Sequence, residues 1–422
     1  MDALPPLAIG ILAARTPKDV EVRFYDDRVE ALNPDEPADL VAISVETFTA
    51  LRAYHLAAHY RAKKIPVVMG GHHPTLLPEE ALRHADAVVT GDAEGVWEEL
   101  LDDFRHGTLK NLYHGKMEMY PDGCGPNYEI FDGKKYARAH LAQYGRGCRH
   151  HCDFCSVHSF YGNTLRHRPA DEVADDVRKL LKRHLSRLLM FVDDNLYYSS
   201  TDITELLEAI RPLGARWACQ ISADVVQDSK VMDLMAASGC RVALLGLESI
   251  DEENLKAMKK GWSRFCGDSM DVIKEFHSRG IAVCGTFVFG YDGDTADTID
   301  ATVAFVKKAR LEMALLSPLT PLPRTPFYER LKKEGRLLRP DWWLDPEYRY
   351  GDSIVTPPSM EPEEFARHCF EAKKQIYSWG AIAKRIFVPG SGFDLWNMGM
   401  IALVNMISRH EVYRKQFRVF GS

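Results

Sequence analysis

The chain has 422 residues, 46% hydrophobic and 27% charged, with a formal net charge of -7. This length predicts two or three domains with enough apolar content for buried cores. The acidic balance, with no basic block, excludes nucleic acid as the favoured main substrate. No apolar run reaches the roughly 18 residues of a bilayer span, and residues 1–6 lack the basic start of a signal peptide. Nine cysteines, three of them clustered, suit a reducing cytoplasm.

Residues 1–115 alternate short apolar runs with helical patterns. Strands are predicted at Val20–Tyr25, Asp39–Val45, Ile65–Met69 and Ala87–Thr90, and helices at Phe48–Lys63 and Pro78–His84. This pattern predicts an α/β fold with a doubly wound parallel sheet. Ligands bind such sheets at the loops beyond the carboxyl ends of the strands. Those loops carry Ser44, Glu46 and Thr47, then Gly70, Gly71, His72 and His73, then Gly91. A double glycine admits a bulky ligand close to the backbone, or simply makes a tight turn. His72 and His73 read as solvated or backbone-bonded loop residues.

Residues 107–136 are rich in Gly, Pro, Asp and Tyr and contain Cys124, alone; 116–136 are expected to be a linker. From 137 to 335 the alternation resumes. Strands are predicted at His140–Tyr144, Leu188–Val192, Arg216–Ile221, Arg241–Leu247, Ala282–Phe289 and Met313–Ser317. A helix is predicted over Pro169–Arg183, where Val173, Val177, Leu180 and Leu181 share one face. Polar residues gather at the strand exits: Asp193, Asp194 and Asn195; Gln220, Ser222 and Asp224; Glu248; and Gly290. Alternation places Gln220, Ser222 and Asp224 on one face. Asp251–Glu253 and Asp294–Thr295 read as helix caps. Lys259, Lys260 and Gly261 read as a solvated turn, and Cys219, Cys240, Cys266 and Cys284 as inert core thiols. In the segment 336–422, helices are predicted over Glu361–Trp379 and Leu395–Ile407. The second is apolar and suits docking on the core, a lid, or a membrane-surface contact. Trp342, Trp343 and Tyr348–Tyr350 are expected to line a substrate pocket.

The stretch Tyr144–Cys155 carries Cys148, Cys152 and Cys155 at the spacing C-x3-C-x2-C, with Gly145 and Gly147 before them. Three thiolates can hold three irons of a 4Fe–4S cluster and leave the fourth open. A zinc completed by His150, His151 or His158 is the alternative, and a disulfide the remaining one.

This spacing, with Phe154 just before the last cysteine, resembles the radical S-adenosylmethionine superfamily. The resemblance implies a partial (β/α)6 TIM-like barrel over 137–335. The open iron would chelate S-adenosylmethionine and reductively cleave it to a 5′-deoxyadenosyl radical. It further implies S-adenosylmethionine contacts from Phe154, Asp194, Gln220, Ser222, Asp224, Glu248 and Gly290. Residues 1–115 resemble the cobalamin-binding, Rossmann-like domain that precedes many such cores, through Ser44 and Gly70–Gly71. Ser44, Thr47, Gly70, Gly71 and Gly91 would then hold cobalamin. The family's D-x-H-x-x-G motif is not kept: Arg28 stands at the histidine of the lower cobalt ligand, and Ala31 at the glycine. An initial strand is also missing before Pro5. Residues 318–326 resemble the family's sixth-strand exit, where relatives usually carry Gly in place of Arg324. Arg324 is expected either to meet an anionic group or to form a surface ion pair.

The resemblance implies a cytoplasmic, cobalamin-dependent C-methyltransferase acting on an unactivated carbon of a small-molecule or lipid-like substrate. A donor such as flavodoxin or ferredoxin would supply electrons. The alternatives are radical cyclisation, rearrangement or oxidation without methyl transfer, and a non-catalytic iron–sulfur protein.

Overall fold

The structure is a computed structural model that describes residues 3–115, 125–183, 188–386, 395–416 and 418, apart from the side chain of Trp396. Cys124 lies outside the described residues.

Two parallel sheets organise the chain. The first contains β1 (Val41–Ser44), β2 (Val67–Gly70), β3 (Ala87–Thr90) and β4 (Leu112–His114), in that order. The central strands β2 and β3 are covered on both faces, which is why they read as continuous apolar runs. Val67, Met69 and Val88 pack with the helix Ala50–Ala62. Val68, Ala87 and Val89 pack with the helix Trp97–Arg105 and with Leu12 of the helix Leu7–Arg15. The fourth strand falls inside the stretch read as a connection from composition.

The strand expected at Val20–Tyr25 does not form. Backbone donors and acceptors of a strand need a neighbour, and β1 pairs only with β2. The stretch is instead held by side chains: Lys134 Nζ donates to the Phe24 carbonyl at 2.7 Å, and Arg23 pairs with Glu21 and Glu36. Val22 and Tyr25 stay exposed.

The second sheet has six parallel strands in the order β12-β11-β10-β9-β8-β5. These are β5 (His140–Ala142), β8 (Leu188–Phe191), β9 (Arg216–Ile221), β10 (Cys240–Glu248), β11 (Ala282–Phe289) and β12 (Met313–Pro318). Between β5 and β8 lies a small antiparallel ribbon of β6 (Gly145–Arg146) and β7 (Arg166–His167). Leu189, Phe191, Trp217, Ala243 and Val283 face the helices that follow the strands and form the main core. The helix Ala170–Arg183 buries Val173, Val177 and Leu180 there, as its periodicity predicts. Cys219, Cys240 and Cys284 are buried, as expected; Cys266 is half-buried.

The C-terminal helices occupy the far end of this sheet. The predicted helix over Glu361–Trp379 runs from Pro362 to Ile376, and a second begins at Trp379 and ends at Ile386. The last helix, Leu395–Lys415, buries Ile401 against Val242, Ala282 and Cys284. Asn405 Nδ2 donates to the Glu312 carbonyl at 2.9 Å, and Arg385 donates to Asn405 Oδ1 at 2.8 Å. Glu312 immediately precedes β12, so this helix docks at the amino ends of the strands, away from their polar exits. The docking reading holds, and a lid over those exits is not what this helix makes. No described helix is long and apolar enough to cross a membrane.

Trp342, Trp343 and Tyr348 come together beside Phe48 at a small gap. They are buried against Phe48 and the helix Ala50–Ala62, and Trp342 Nε1 donates to the Pro321 carbonyl at 3.0 Å. A gap of about 90 Å³ remains beside them. Their large apolar area joins the C-terminal segment to the first sheet. Trp342→Ala is expected to cost about 3–5 kcal/mol, the range for emptying a buried aromatic site. Denaturant unfolding of the apoprotein checks this.

Candidate cofactor site

The polar strand exits converge on the loop Tyr144–Cys155. Asp193, two residues after β8, accepts the backbone N–H groups of Tyr144 (3.1 Å) and Gly145. Asp194 accepts that of Gly147 at 2.9 Å. Burial pushes the Asp193 carboxyl up to about 7, against the two amides that favour its anion. Gly147 has φ +91°, and a Cβ there would lie 2.2 Å from the Thr164 carbonyl oxygen. Only glycine fits.

Cys148, Cys152 and Cys155 are free thiols. Burial raises all three, Cys155 to about 12; Lys260 acts against the rise at Cys148 and Cys152, and the neighbouring thiols and Asp194 add to it at Cys155. Asn195 Nδ2 lies 3.7 Å from Cys148 Sγ, donating to it. Among the described residues no three His, Cys, Asp or Glu side chains converge as ligands of one ion would. A cluster makes no such demand, because each thiolate binds a different iron. Three neighbouring free thiols with an amide donor at one sulfur fit that group.

From Asn195 a polar chain runs round the strand exits. Asn195 Nδ2 donates to Ser222 Oγ at 3.0 Å, and Ser222 Oγ donates to Asp224. Asp224 pairs with Arg149 and lies 3.5 Å from His150 Nε2. Burial works against its anion, yet His150, Ser222 and Arg149 hold the carboxyl down at about 2. His150 stacks on Trp262 at 3.6 Å, and Lys260 Nζ lies 5.6 Å from the Trp262 ring centre. Gln220 Nε2 donates to the Asp194 carbonyl at 2.9 Å.

Lys260 corrects the solvated-turn reading. It is buried, and its Nζ lies 3.2 Å from Glu248 Oε1. Burial alone would neutralise it, but Glu248 and the Cys152 sulfur hold the ammonium charged. Glu248 sits at a register shift in β10 with φ +64°, a costly conformation for a residue with a side chain. A buried carboxylate is costly without a partner; Lys260 is that partner for Glu248, and the sequence alone does not show their pairing.

Phe154 packs with Met258, Tyr291, Leu319 and Phe327. The Gly290 N–H donates to Asp294 at 2.8 Å, and Asp294 also accepts from Tyr291 and Asn254. Asp294 therefore ties the β11 exit loop, while Thr295 caps the next helix as expected. Asp251 likewise caps its helix. Arg324 has φ +63°, and its Nε donates to the Leu76 carbonyl at 3.4 Å. Glycine is the residue that takes such a left-handed backbone most readily, so Arg324 is strained there.

A cavity of about 360 Å³ opens between the first sheet and this loop. Ser44, Gly70, Gly71 and Gly91 line it from the first sheet, and Asp194, Arg146 and Tyr161 from the other side. Gly71, at φ +99°, leaves no room for a Cβ, which would lie 3.1 Å from Val45 backbone atoms. Thr47 is buried and is not among the residues that line the cavity. The glycine wall, with the polar side chains of Ser44, Asp92 and Arg146 around it, fits a large polar-edged cofactor. His73 is buried with Tyr54 and Glu80, as a structural histidine. His72 lines the cavity, stacked on Phe160; burial lowers it to about 4, so its ring is neutral. Arg28 is engaged with Asp26 and does not line the cavity.

Comparison with known proteins agrees with this arrangement. Residues 4–101 match the B12 binding domain, and residues 143–306 match the radical SAM superfamily. Bacteriochlorophyllide d C-12(1)-methyltransferase of Chlorobaculum tepidum is 32% identical over 394 residues, covering 90% of this chain and 84% of that one. The chain belongs to the cobalamin-binding radical S-adenosylmethionine enzymes. The C-8(2)-methyltransferase of the same organism is 27% identical, covering 90% of this chain and 87% of that one. The radical S-adenosylmethionine methyltransferase TsrM of Kitasatospora setae, solved with cobalamin and a [4Fe-4S] cluster, superposes with a TM-score of 0.60. It is 16% identical and the match covers 90% of this chain and 88% of that one, so it speaks for the fold. As a member of this family, the chain is an enzyme with a 4Fe–4S cluster, S-adenosylmethionine and cobalamin as its cofactors.

Gly147→Ala is expected to lower cluster content ~3-fold or more, from the ~1–3 kcal/mol such a conformation costs a residue with a side chain and the clash with Thr164. Iron and sulfide analysis after anaerobic reconstitution checks this. Gly133→Ala, at φ +78° with open space around it, is the control and should keep its cluster.

Proposed function

We propose that this enzyme is a cobalamin-dependent C-methyltransferase that methylates an unactivated side-chain carbon of a large tetrapyrrole of the bacteriochlorophyllide class. The observation that carries the methyltransferase reading is the glycine-walled cavity opening onto the three-cysteine loop. The substrate class rests on the two Chlorobaculum tepidum relatives, which cover nearly the whole chain.

In this reading, residues 1–115 form the cobalamin domain, 116–136 the linker, 137–335 the radical core and 336–422 a helical segment. Cys148, Cys152 and Cys155 hold the cluster. Lys260 faces the carboxylate of S-adenosylmethionine, whose charge it complements. Asp194 accepts from its ammonium, and Gln220, Ser222 and Asp224 meet the ribose hydroxyls. Glu248 lies toward the sulfonium, and Phe154 and Gly290 bound the adenine. Ser44, Thr47, Gly70, Gly71 and Gly91 hold cobalamin. When bound, these groups supply hydrogen abstraction and a methyl donor; the protein orients them and excludes water. The enzyme works in the cytoplasm and takes electrons from a flavodoxin or ferredoxin.

The test is anaerobic turnover of a bacteriochlorophyllide with reductant, cobalamin and trideuteromethyl-labelled S-adenosylmethionine. The expected product carries one CD3 group in place of hydrogen, formed together with 5′-deoxyadenosine, and Cys148→Ala forms neither. A substrate changed in mass without the label would instead establish radical chemistry without methyl transfer.

A further inference from the structure

A buried group of four charges lies between the two cofactor sites and has no part in the roles above. In the ribbon that carries the cluster loop, Arg146 stands directly opposite Arg166. Two like charges facing each other across a ribbon repel. The anions that relieve them come from the first sheet, in the loop after β3. Asp92 pairs with Arg166 and lies 2.7 Å from Arg146 Nη1. Glu94 lies 2.6 Å from Arg146 Nη2, and Gln143 accepts from Arg146 Nε at 3.0 Å. All four charged side chains are almost wholly buried.

The placement matters more than the pairing. Arg146 precedes Cys148 by two residues, and its neighbours Gly145 and Gly147 are the ones held by Asp193 and Asp194. Asp92 and Glu94 follow Gly91 in the cavity wall, and both line the cavity themselves. A shift of the β3 loop would thus break buried charge pairs, which is far costlier than breaking exposed ones. Asp194, on the ribbon's own side, also faces both guanidiniums, but Asp92 and Glu94 are the anions that tie the ribbon to the first sheet.

We propose that the Asp92–Arg146–Glu94–Arg166 group is a positioning clamp that sets the distance between the corrin and the cluster. It acts on the relation between the two cofactors, not on the retention of either. The proposal rests on both occupying the sites assigned above, and not on the identity of the substrate.

The experiment uses the full chain loaded with cluster and cobalamin, reduced so that both the cluster and cob(II)alamin are paramagnetic. Their spin–spin splitting in the EPR spectrum reports the distance and its spread. Wild type is expected to give one resolved splitting. Asp92→Asn and Glu94→Gln keep shape and remove charge. They are expected to keep iron, sulfide and cobalamin contents while the resolved splitting is lost or broadened. Asp92→Glu, which keeps the charge, should recover part of it. Splitting unchanged in both neutral variants overturns the clamp. So does loss of cofactor content with normal splitting in what remains, because the charges then serve folding alone. Wild-type protein that takes up no cobalamin overturns the cavity assignment itself, and the clamp with it, before any variant is made.

Discussion

Two adjacent carboxylates at the exit of β8 hold the loop on which the chemistry depends. Asp193 and Asp194 accept three backbone N–H groups from Tyr144, Gly145 and Gly147. Such hydrogen bonds contribute about 0.5–1.5 kcal/mol each, and about 1.5–3 kcal/mol where the carboxyl is ionised, so the three together can hold a loop that three clustered thiols would otherwise strain. The carboxylates have an electrostatic cost: Asp194 makes the anions of Cys148 and Cys155 less favourable. Lys260 opposes that cost from the far side, beside Cys152 and Cys155. The loop is therefore fixed by backbone bonding, and the buried Lys260 offsets the charge on its far side.

The rest of the strand exits extend this arrangement into a shaped polar surface. Asn195, Ser222, Asp224, His150, Trp262, Lys260 and Glu248 follow one another in contact across β8, β9 and β10. Such groups need no rearrangement when a charged cofactor arrives, which is the condition for electrostatic preorganisation. The opposite end of the sheet is closed by the helix Leu395–Lys415, and the Trp342–Trp343 pair joins the tail to the first sheet. Both leave the polar end open to the cavity between the domains.

What could be read from the sequence was local. Arg216–Ile221 and Ala282–Phe289 form strands with the bounds their sequences predict: the second is nearly all buried and reads as a continuous apolar run, and the first alternates buried and less buried positions. The cysteine spacing and the glycine pair after β2 are equally local. Val20–Tyr25 has strand composition and no neighbour, and pairing is a property of the sheet rather than of the segment. Lys260 looks like a surface residue until the bulge at Glu248 turns a carboxylate onto it. Trp342 and Trp343 carry the composition of a binding pocket, and only the position of the helix Ala50–Ala62 makes them core. Arg324 has a side chain that invites a functional reading, whereas its backbone is the feature that distinguishes the position.

The central claim is that three thiolates leave one iron open for S-adenosylmethionine. Pulsed ENDOR of the reduced cluster, with S-adenosylmethionine labelled with 15N at the amino group and 17O at the carboxylate, tests it most directly. The account requires hyperfine couplings of both labels to the cluster, large enough to mean direct bonds to iron. A cluster whose signal shows no coupling to either label, with the cofactor bound, would contradict it.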